Sequence, residues 1–170
     1  MTQLPRPLQN PGPANRPTFC AVMPAPFGAI GIAAPGKLVE RIEFLPPAHV
    51  LVAPVNALAE KTANQITRYL ADPDFVFELP LARQGTAFRR RIWAAIAAIP
   101  RGQTRTYGAL ARDAGSIARA VGQACGDNPL PIVVPCHRVV AASGIGGFAH
   151  DTRGFLIDTK RWLLGHEGVI

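Results

Sequence analysis

Cys136 is the residue of this chain that could best act as a nucleophile. It lies in the segment Pro-Cys-His-Arg, residues 135–138. Pro135 cannot donate to a β-ladder, so it breaks a strand just before the thiol. His137 and Arg138 place a proton acceptor and a cation beside the sulfur, and such neighbours favour the thiolate. The alternative is a buried structural thiol, which is the usual fate of a lone cysteine.

The backbone around Cys136 decides whether His137 can act as its base. Neighbouring residues on a regular strand point to opposite faces. His137 can therefore serve Cys136 only if the chain turns there, or if a water relays the proton. Glu167 is the candidate for the group that orients the histidine, in the general pattern of nucleophile, base and orienting group. From spacing alone, a catalytic trio of Cys136, His137 and Glu167 is one hypothesis among others.

The cysteine and histidine pattern predicts no metal site. The chain has three cysteines at unrelated spacings, without a CxxC pair or a Cys/His zinc spacing. We interpret His49, His150 and His166 as surface or core residues rather than ligands. A reducing cytosol is the simplest place for free thiols, so a cytoplasmic protein is predicted.

Positive charge is concentrated in one segment. The 170 residues carry a net charge of +7. Residues 81–120 contain eight arginines against the single acid Asp113, so the net charge of this segment equals that of the whole chain. A neutral body with one basic segment is typical of a polyanion-binding protein, and nucleic acid is the predicted partner. The alternative is a solvated basic face with surface ion pairs. No apolar run is long enough for a membrane span, and the N-terminus shows no secretory pattern.

The patterning predicts an α+β chain in three parts. Residues 1–17 are proline-rich and are predicted to be a mobile tail. Residues 18–84 form the predicted N-terminal domain, with three short strands in an antiparallel sheet, a helix from Val55 to Leu70 and a further strand at 75–81. Residues 85–170 form the predicted C-terminal domain, which is mostly helical.

The second half contains the helices that must position the site. Thr86 is predicted to cap a helix with Phe88, Ile92, Ala95 and Ile99 on its apolar stripe. A short helix follows from Thr106 to Ala114, then a glycine turn and a third helix capped by Ser116. Two short helices joined by a tight turn match a helix-turn-helix, which alone is a weak signal. A glycine-rich loop spans 144–154, and the closing helix is predicted from Thr159 to His166.

The segment 119–140 closely resembles the O6-alkylguanine-DNA alkyltransferases. It combines Arg-Ala-Val-Gly, beginning at Arg119, with Pro-Cys-His-Arg-Val around Cys136, and His-Glu-Gly follows at 166–168. The resemblance covers the whole second half, while the order of elements in the first half suits the family's N-terminal domain, which is ribonuclease-H-like. It implies repair of double-stranded DNA carrying alkylated bases by a monomeric protein that works once, without metal or organic cofactor.

The resemblance also implies a role for individual residues. Cys136 matches the alkyl acceptor, His137 the base that acts through a bound water, Glu167 its supporting carboxylate and Asn128 the residue that holds the preceding turn. The residues implied to bind substrate or DNA are Tyr107 near the target phosphate and the flipped guanine, Arg119 as the finger that enters the base stack, Ala118 and Gly122 on a slim helix face, Pro131 and Phe148 on the pocket wall, Val139 through its backbone, and Arg138.

The sequence departs from the family pattern in one loop. Residues 147–162 are a few residues longer than in typical members, and Phe148 stands where a tyrosine is expected. Gly126 replaces a basic residue of some relatives. These departures leave open the alkyl-size preference, as well as any activity on O4-alkylthymine.

Three other functions are alternatives to alkyl transfer. A non-enzymatic lesion sensor of the same fold would lack the acceptor cysteine, so the presence of Cys136 argues against this function. A cysteine hydrolase would need an oxyanion site and would leave the arginine-rich helices unexplained. A plain transcription regulator would leave the cysteine motif without use.

Overall fold

The first half of the protein is a three-stranded antiparallel sheet covered by one helix. The computed structural model describes residues 18–170, so the tail predicted for residues 1–17 lies outside the described part. The strands are β1 (Ala21–Ala25), β2 (Gly28–Ala33) and β3 (Arg41–Leu45), in the order β1-β2-β3. Helix α1 (Ala57–Ala71) begins at Asn56, whose side chain accepts a hydrogen bond from the Ala59 amide at 2.8 Å. The predicted sheet and helix are confirmed.

The strand predicted at 75–81 does not form a ladder. Residues 73–81 do alternate between exposed and partly buried, as a strand pattern predicts. Their backbone, however, makes a single bridge, between Leu81 and Val39. The Gln65 side chain bonds instead to both the amide and the carbonyl of Glu78. The segment is therefore extended and is held by one bridge at its end and by one side chain of α1, and the prediction of a strand is wrong.

The second half consists of four helices around a short irregular segment. They are α2 (Ala87–Ala97), α3 (Tyr107–Ala114), α4 (Ala118–Gly126) and α5 (Phe155–His166). A 3₁₀ turn spans Cys136–Arg138. The two-residue strands β4 (Arg105–Thr106) and β5 (Val139–Val140) pair in parallel and bring the start of α3 beside the segment that follows Cys136.

Helix boundaries follow the predicted caps with two exceptions. Thr86 and Thr106 cap α2 and α3 through their side chains, and Gly115 ends α3 in the left-handed conformation that glycine accepts without strain. The predicted cap Ser116 is wrong, because Ile117 occupies that position without a side-chain bond. Helix α5 begins at Phe155, since the Thr159 hydroxyl donates to the Phe155 carbonyl within the helix rather than capping it.

The two halves share one hydrophobic core. A single cluster of buried residues joins Ile30, Ile42 and Ile66 of the first half to Ile92 and Leu163 of the second. The Ile42 amide of β3 donates to the Pro129 carbonyl at 2.9 Å. The buried residues of α2 are Ile92 and Ile96. Of the other positions predicted for the stripe, Phe88 and Ala95 are half-buried, and Ile99 is buried just beyond the end of the helix. Within residues 18–170, no helix combines the length and the apolarity needed to cross a bilayer.

Candidate active site

Cys136 lies buried at the first position of the 3₁₀ turn. Only 4% of its surface is exposed. The Asn128 side-chain amide donates to its Sγ at 3.0 Å and to the Val134 carbonyl at 2.9 Å. The Asn128 Oδ1 accepts from the Leu130 amide at 3.0 Å. Asn128 therefore ties the loop before the cysteine to the sulfur itself, in line with its predicted place at the turn.

The 3₁₀ turn also shows how His137 is oriented. Its imidazole is fully buried, and its Nε2 lies 2.9 Å from Glu167 Oε1. A carboxylate only accepts hydrogen bonds, so Nε2 carries the proton and Nδ1 keeps a free lone pair. Nδ1 is buried and has no hydrogen-bond partner among the described residues. The histidine is therefore prepared to accept a proton at Nδ1.

Glu167 is the centre of a buried hydrogen-bond network. Besides His137, it accepts from the Tyr69 hydroxyl at 2.7 Å and from Arg138 at 2.8 and 3.0 Å. Arg138 also donates to the Ile99 carbonyl at 2.6 Å. Four donors from α1 and the 3₁₀ turn thus fix one carboxylate, which in turn fixes the imidazole.

Burial and charge set the protonation states of the three groups. Burial raises the pKa of the Cys136 thiol, although the Asn128 hydrogen bond and the Lys160 cation act in the opposite direction. Burial lowers the pKa of His137, against the effect of Glu167. Burial acts to raise the pKa of Glu167, but the hydrogen bonds from His137 and Arg138 hold it below its usual range. The resting site therefore contains a thiol, a neutral imidazole and a carboxylate.

Replacing Glu167 by glutamine tests this network. A depressed carboxylate pKa stabilises the fold above the unfolded value of about 4.3, and that stabilisation is lost as pH falls towards the folded value. We expect Glu167→Gln to lower the free energy of unfolding by about 3 kcal/mol near neutral pH. Its stability should also depend less on pH below about 5 than that of the wild type. Urea unfolding measures both, with the exposed Glu40→Gln as control; parallel pH profiles for Glu167→Gln and wild type would contradict the assignment.

Lys160 is a buried cation beside the cysteine that the sequence analysis missed. Its side chain is fully buried, and Nζ donates to the carbonyls of Val139, Ile145 and Gly147 at 2.7, 2.5 and 2.9 Å. Burial lowers its pKa to about 8, while the charge of a Cys136 thiolate acts to raise it. Lys160 therefore links the strand after Cys136 to the glycine-rich loop and places positive charge near the sulfur.

Two cavities meet at Cys136. The first, about 440 Å³, is lined by Tyr107, Arg119 and Gly122 together with residues 147–152. The second, about 430 Å³, lies between β3 and the end of α4 and includes Pro131. Phe148, buried and within 5.6 Å of the Phe44 ring, lines both. The structure thus brings the predicted pocket residues together, but it divides them between two chambers.

The helix pair presents the predicted binding residues to solvent. Ala118 and Arg119 are exposed at the start of α4. Within residues 18–170, Arg119 makes no ion pair and no side-chain hydrogen bond, so its guanidinium is available. Tyr107, at the start of α3, donates its hydroxyl to the Gly147 carbonyl at 3.1 Å. The helix pair and the loop therefore border the same cavity.

One residue predicted to bind substrate, Arg138, is placed differently from expectation. Arg138 is turned inward, and its guanidinium bonds to Glu167 and Ile99. It therefore supports the network around His137 and makes no DNA surface. Val139 is fully buried, and its carbonyl accepts from Lys160. The sequence pattern could not indicate the inward turn, since an arginine beside a thiol also suits a binding role.

Part of the basic segment is neutralised by ion pairs, two of them with acids from outside the segment. Arg101 pairs with Asp74, Arg105 with Asp113 and Arg89 with Asp127. The net positive charge around this segment in the folded protein is therefore lower than the sequence alone indicates. The exposed arginines of the segment that form no ion pair within residues 18–170 are Arg83, Arg91, Arg112 and Arg119. Arg90 is partly buried and donates to the Gly85 carbonyl.

Tyr69 and Lys160 are functional residues for which the sequence did hold a signal. Tyr69 follows Ile66 by three residues on the buried face of α1, and Lys160 falls between Ile157 and Leu164 on the buried face of α5. A polar side chain at an apolar position of a helix indicates a buried partner.

The geometry defines an α+β protein with a buried cysteine site beside an exposed pair of short helices. Comparison with known proteins agrees. The family model described as 6-O-methylguanine DNA methyltransferase, DNA binding domain, matches residues 87–169. A Methanosarcina acetivorans protein named methylated-DNA–protein-cysteine methyltransferase is 33% identical over 158 residues, which cover 88% of this chain and 98% of that protein. A Mycobacterium leprae protein of the same name is 37% identical over 131 residues, 74% of this chain and 79% of its own.

Solved structures show the same fold. The Mycobacterium tuberculosis O6-methylguanine methyltransferase is 34% identical, with a TM-score of 0.72 and coverage of 86% of this chain and 90% of that one. The same protein in complex with DNA gives a TM-score of 0.70 at 35% identity, again over 86% and 90% of the two chains. The chain belongs to the methylated-DNA–protein-cysteine methyltransferase family.

Proposed function

We propose that this protein repairs DNA by transferring an alkyl group from the O6 atom of guanine directly to Cys136. The observation that carries the proposal is the buried thiol itself, which receives a hydrogen bond from Asn128 and lies where two cavities meet. The relatives are named for cysteine methylation by methylated DNA, and one solved neighbour is in complex with DNA. Both facts support this function for the present chain.

The chemistry follows from the protonation states. The thiol proton passes to His137 Nδ1, with a water as the relay, and Glu167 stabilises the imidazolium that forms. The thiolate attacks the alkyl carbon, a new C–S bond forms, the C–O6 bond breaks, and guanine keeps the electron pair. Asn128 and Lys160 stabilise the thiolate while it exists. A thioether does not hydrolyse readily, so each molecule acts once.

The reacting carbon lies inside the base stack, so the nucleotide must be flipped out of the duplex. We assign α3 and α4 to a helix-turn-helix that places Arg119 at the gap left by the base. Ala118 and Gly122 leave the exposed side of α4 slim, which allows a close approach to a groove. Tyr107 borders the cavity that would receive the guanine. A planar cation suits the gap because it can stack on neighbouring bases.

The chain is organised in two units with different tasks. Residues 18–84 form a ribonuclease-H-like unit that supports the site through Tyr69, and residues 85–170 form the unit for DNA binding and transfer. The protein is monomeric and acts in the cytoplasm, where a reducing environment keeps its buried cysteines free. The substrate is double-stranded DNA with alkylated guanine, and O4-alkylthymine is a second candidate base.

Intact-mass spectrometry tests the proposal. After incubation with duplex DNA containing O6-methylguanine, the protein should gain the mass of one methyl group in place of a hydrogen, and peptide mapping should locate it on Cys136. The gain should stop at one group for each molecule. An unmodified mass, or continued turnover, would contradict the proposal. The same measurement with O4-methylthymine decides whether thymine is also repaired.

Salt dependence tests the DNA face separately from the chemistry. Phosphate contacts release counterions, so about four contacts should weaken binding to undamaged duplex on the order of 100-fold between about 50 and 200 mM salt. Removing one exposed contact, as in Arg112→Ala, should reduce the slope of log affinity against log salt by about 1. Fluorescence anisotropy with a labelled duplex measures the slopes. An affinity independent of salt would show that the basic segment does not bind DNA.

A further inference from the structure

A three-residue contact, which we call the clasp, fastens the glycine-rich loop to the end of α4. His150 Nε2 lies 2.9 Å from Asp127 Oδ1, and Arg89 of α2 donates to the other oxygen of the same carboxylate. His150 belongs to the long loop, whereas Asp127 directly follows α4. The clasp therefore joins two segments that would otherwise be free to separate next to Cys136.

The His150 ring lies directly against Gly126. A Cβ atom built on Gly126 would stand 2.3 to 2.6 Å from three atoms of the imidazole, closer than real contacts allow. The absence of a side chain at Gly126 is thus what lets the ring occupy this position. Both residues line both cavities that reach Cys136. The contact between them consequently forms part of the wall that separates the two chambers.

The loop adopts a strained backbone to place this ring. Ala149 and His150 have φ values of 49° and 69°, in the left-handed region that residues other than glycine rarely adopt. Two hydrogen bonds between Phe148 and Asp151 close the turn around them. Such strain persists only where surrounding contacts hold it. The clasp is the contact that holds it on the side of α4.

The chamber beyond the clasp is suited to an organic substituent. Its lining includes the apolar side chains of Ile42, Phe44, Pro131 and Leu156, and polar groups come from Asn128 beside the cysteine and from the Arg41–Glu43 pair. In a displacement reaction, sulfur, carbon and O6 lie in one line, so the rest of a substituent must extend sideways from that line. This chamber adjoins Cys136 between β3 and the end of α4 and provides such space.

We propose that His150 determines how large an O6 substituent this protein accepts. The inference rests on the proposed function. Guanine occupies the chamber bordered by Tyr107, and the distal part of the substituent points towards the chamber beside β3. The clasp restricts the passage between the two. Methyl and benzyl groups react with the clasp closed, while longer groups require it to open.

The test compares two free bases of different size. Single-turnover rates are measured by intact mass for O6-benzylguanine and for O6-(4-phenylbenzyl)guanine. Wild type should react more slowly with the larger base. His150→Ala should raise the ratio of the larger-base rate to the benzyl rate roughly tenfold, the usual effect of relieving one steric contact in a pocket. Gly126→Ala, which displaces the ring by collision, should raise the same ratio.

Two further variants separate the clasp from general loosening of the fold. His150→Gln keeps a side-chain N–H that can donate to Asp127, so its ratio should stay near that of the wild type. His49→Ala removes a distant exposed histidine and should leave the ratio unchanged. An unchanged or lower ratio in both His150→Ala and Gly126→Ala would overturn the inference alone. Failure of the wild type to take an alkyl group from either base, or from methylated DNA, would overturn the proposed function and this inference with it.

Discussion

Alanine in place of Cys136 is expected to abolish alkyl transfer completely while changing the affinity for undamaged duplex by no more than about twofold. In the proposed reaction the alkyl carbon is accepted by the Cys136 thiol, to which Asn128 donates a hydrogen bond. A second thiol, Cys125, also lines both cavities, but burial raises its pKa to about 12 and keeps it protonated. The exposed arginines of the basic segment, by contrast, stay in place. Intact mass after incubation with O6-methylguanine duplex measures transfer, and fluorescence anisotropy measures binding.

Cys20→Ala is the matched control for this experiment. Cys20 is also buried and free, but it lies beside β1, in the first half of the chain. Its loss should leave the mass gain intact. A mass gain in Cys136→Ala would show that another side chain accepts the group. A large loss of DNA binding in the same variant would show that the cysteine segment shapes the binding surface.

Arginine 119 should matter far more for duplex DNA than for the free base. Unstacking a nucleotide costs a few kcal/mol, and the proposed finger offsets part of that cost. We expect Arg119→Ala to slow transfer from O6-methylguanine in duplex DNA by roughly 30-fold or more, equivalent to about 2 kcal/mol. O6-benzylguanine has no stack to leave, so its rate should barely change. A pair of single-turnover rates for each variant measures the difference.

Two variants make the Arg119 experiment specific. Arg119→Lys should restore only part of the duplex rate, because an ammonium lacks the stacking plane of a guanidinium. Arg112→Ala removes the same charge from the exposed face of α3 and should weaken binding to methylated and to unmethylated duplex DNA equally. Equal losses on duplex and free base in Arg119→Ala would mean that the residue supports the fold or the pocket. The finger assignment would then be wrong.

The helix caps and the sheet were predictable because their causes are local. Thr86, Thr106 and Gly115 act within one turn of the chain, and short β-prone runs separated by proline and glycine leave few other pairings. The failed strand at 75–81 has the opposite cause. Its burial does alternate, but whether an extended segment joins a sheet depends on a partner elsewhere. Here Gln65 provides that partner.

The site residues illustrate the same division. The segment around Cys136 carries a motif specific enough to indicate the nucleophile, its base and the supporting Glu167, and the structure places the last two 2.9 Å apart. The orientation of the histidine could not be deduced, since it depends on a 3₁₀ turn where the apolar run suggested a strand. Because the backbone turns there, Cys136 and His137 are not held on opposite faces as they would be on a regular strand.

The amino-acid sequence by itself determined the chemistry available to this protein, the order of its elements and the family to which it belongs, because these depend on residue types and short-range spacing. Only the tertiary structure decided which polar groups share a buried space. Tyr69 reaches Glu167 across 98 positions of the chain, Lys160 gathers three carbonyls, Arg138 turns inward, and His150 closes onto Asp127. Buried polar groups must find partners wherever the fold brings them, and that pairing is not written in local sequence.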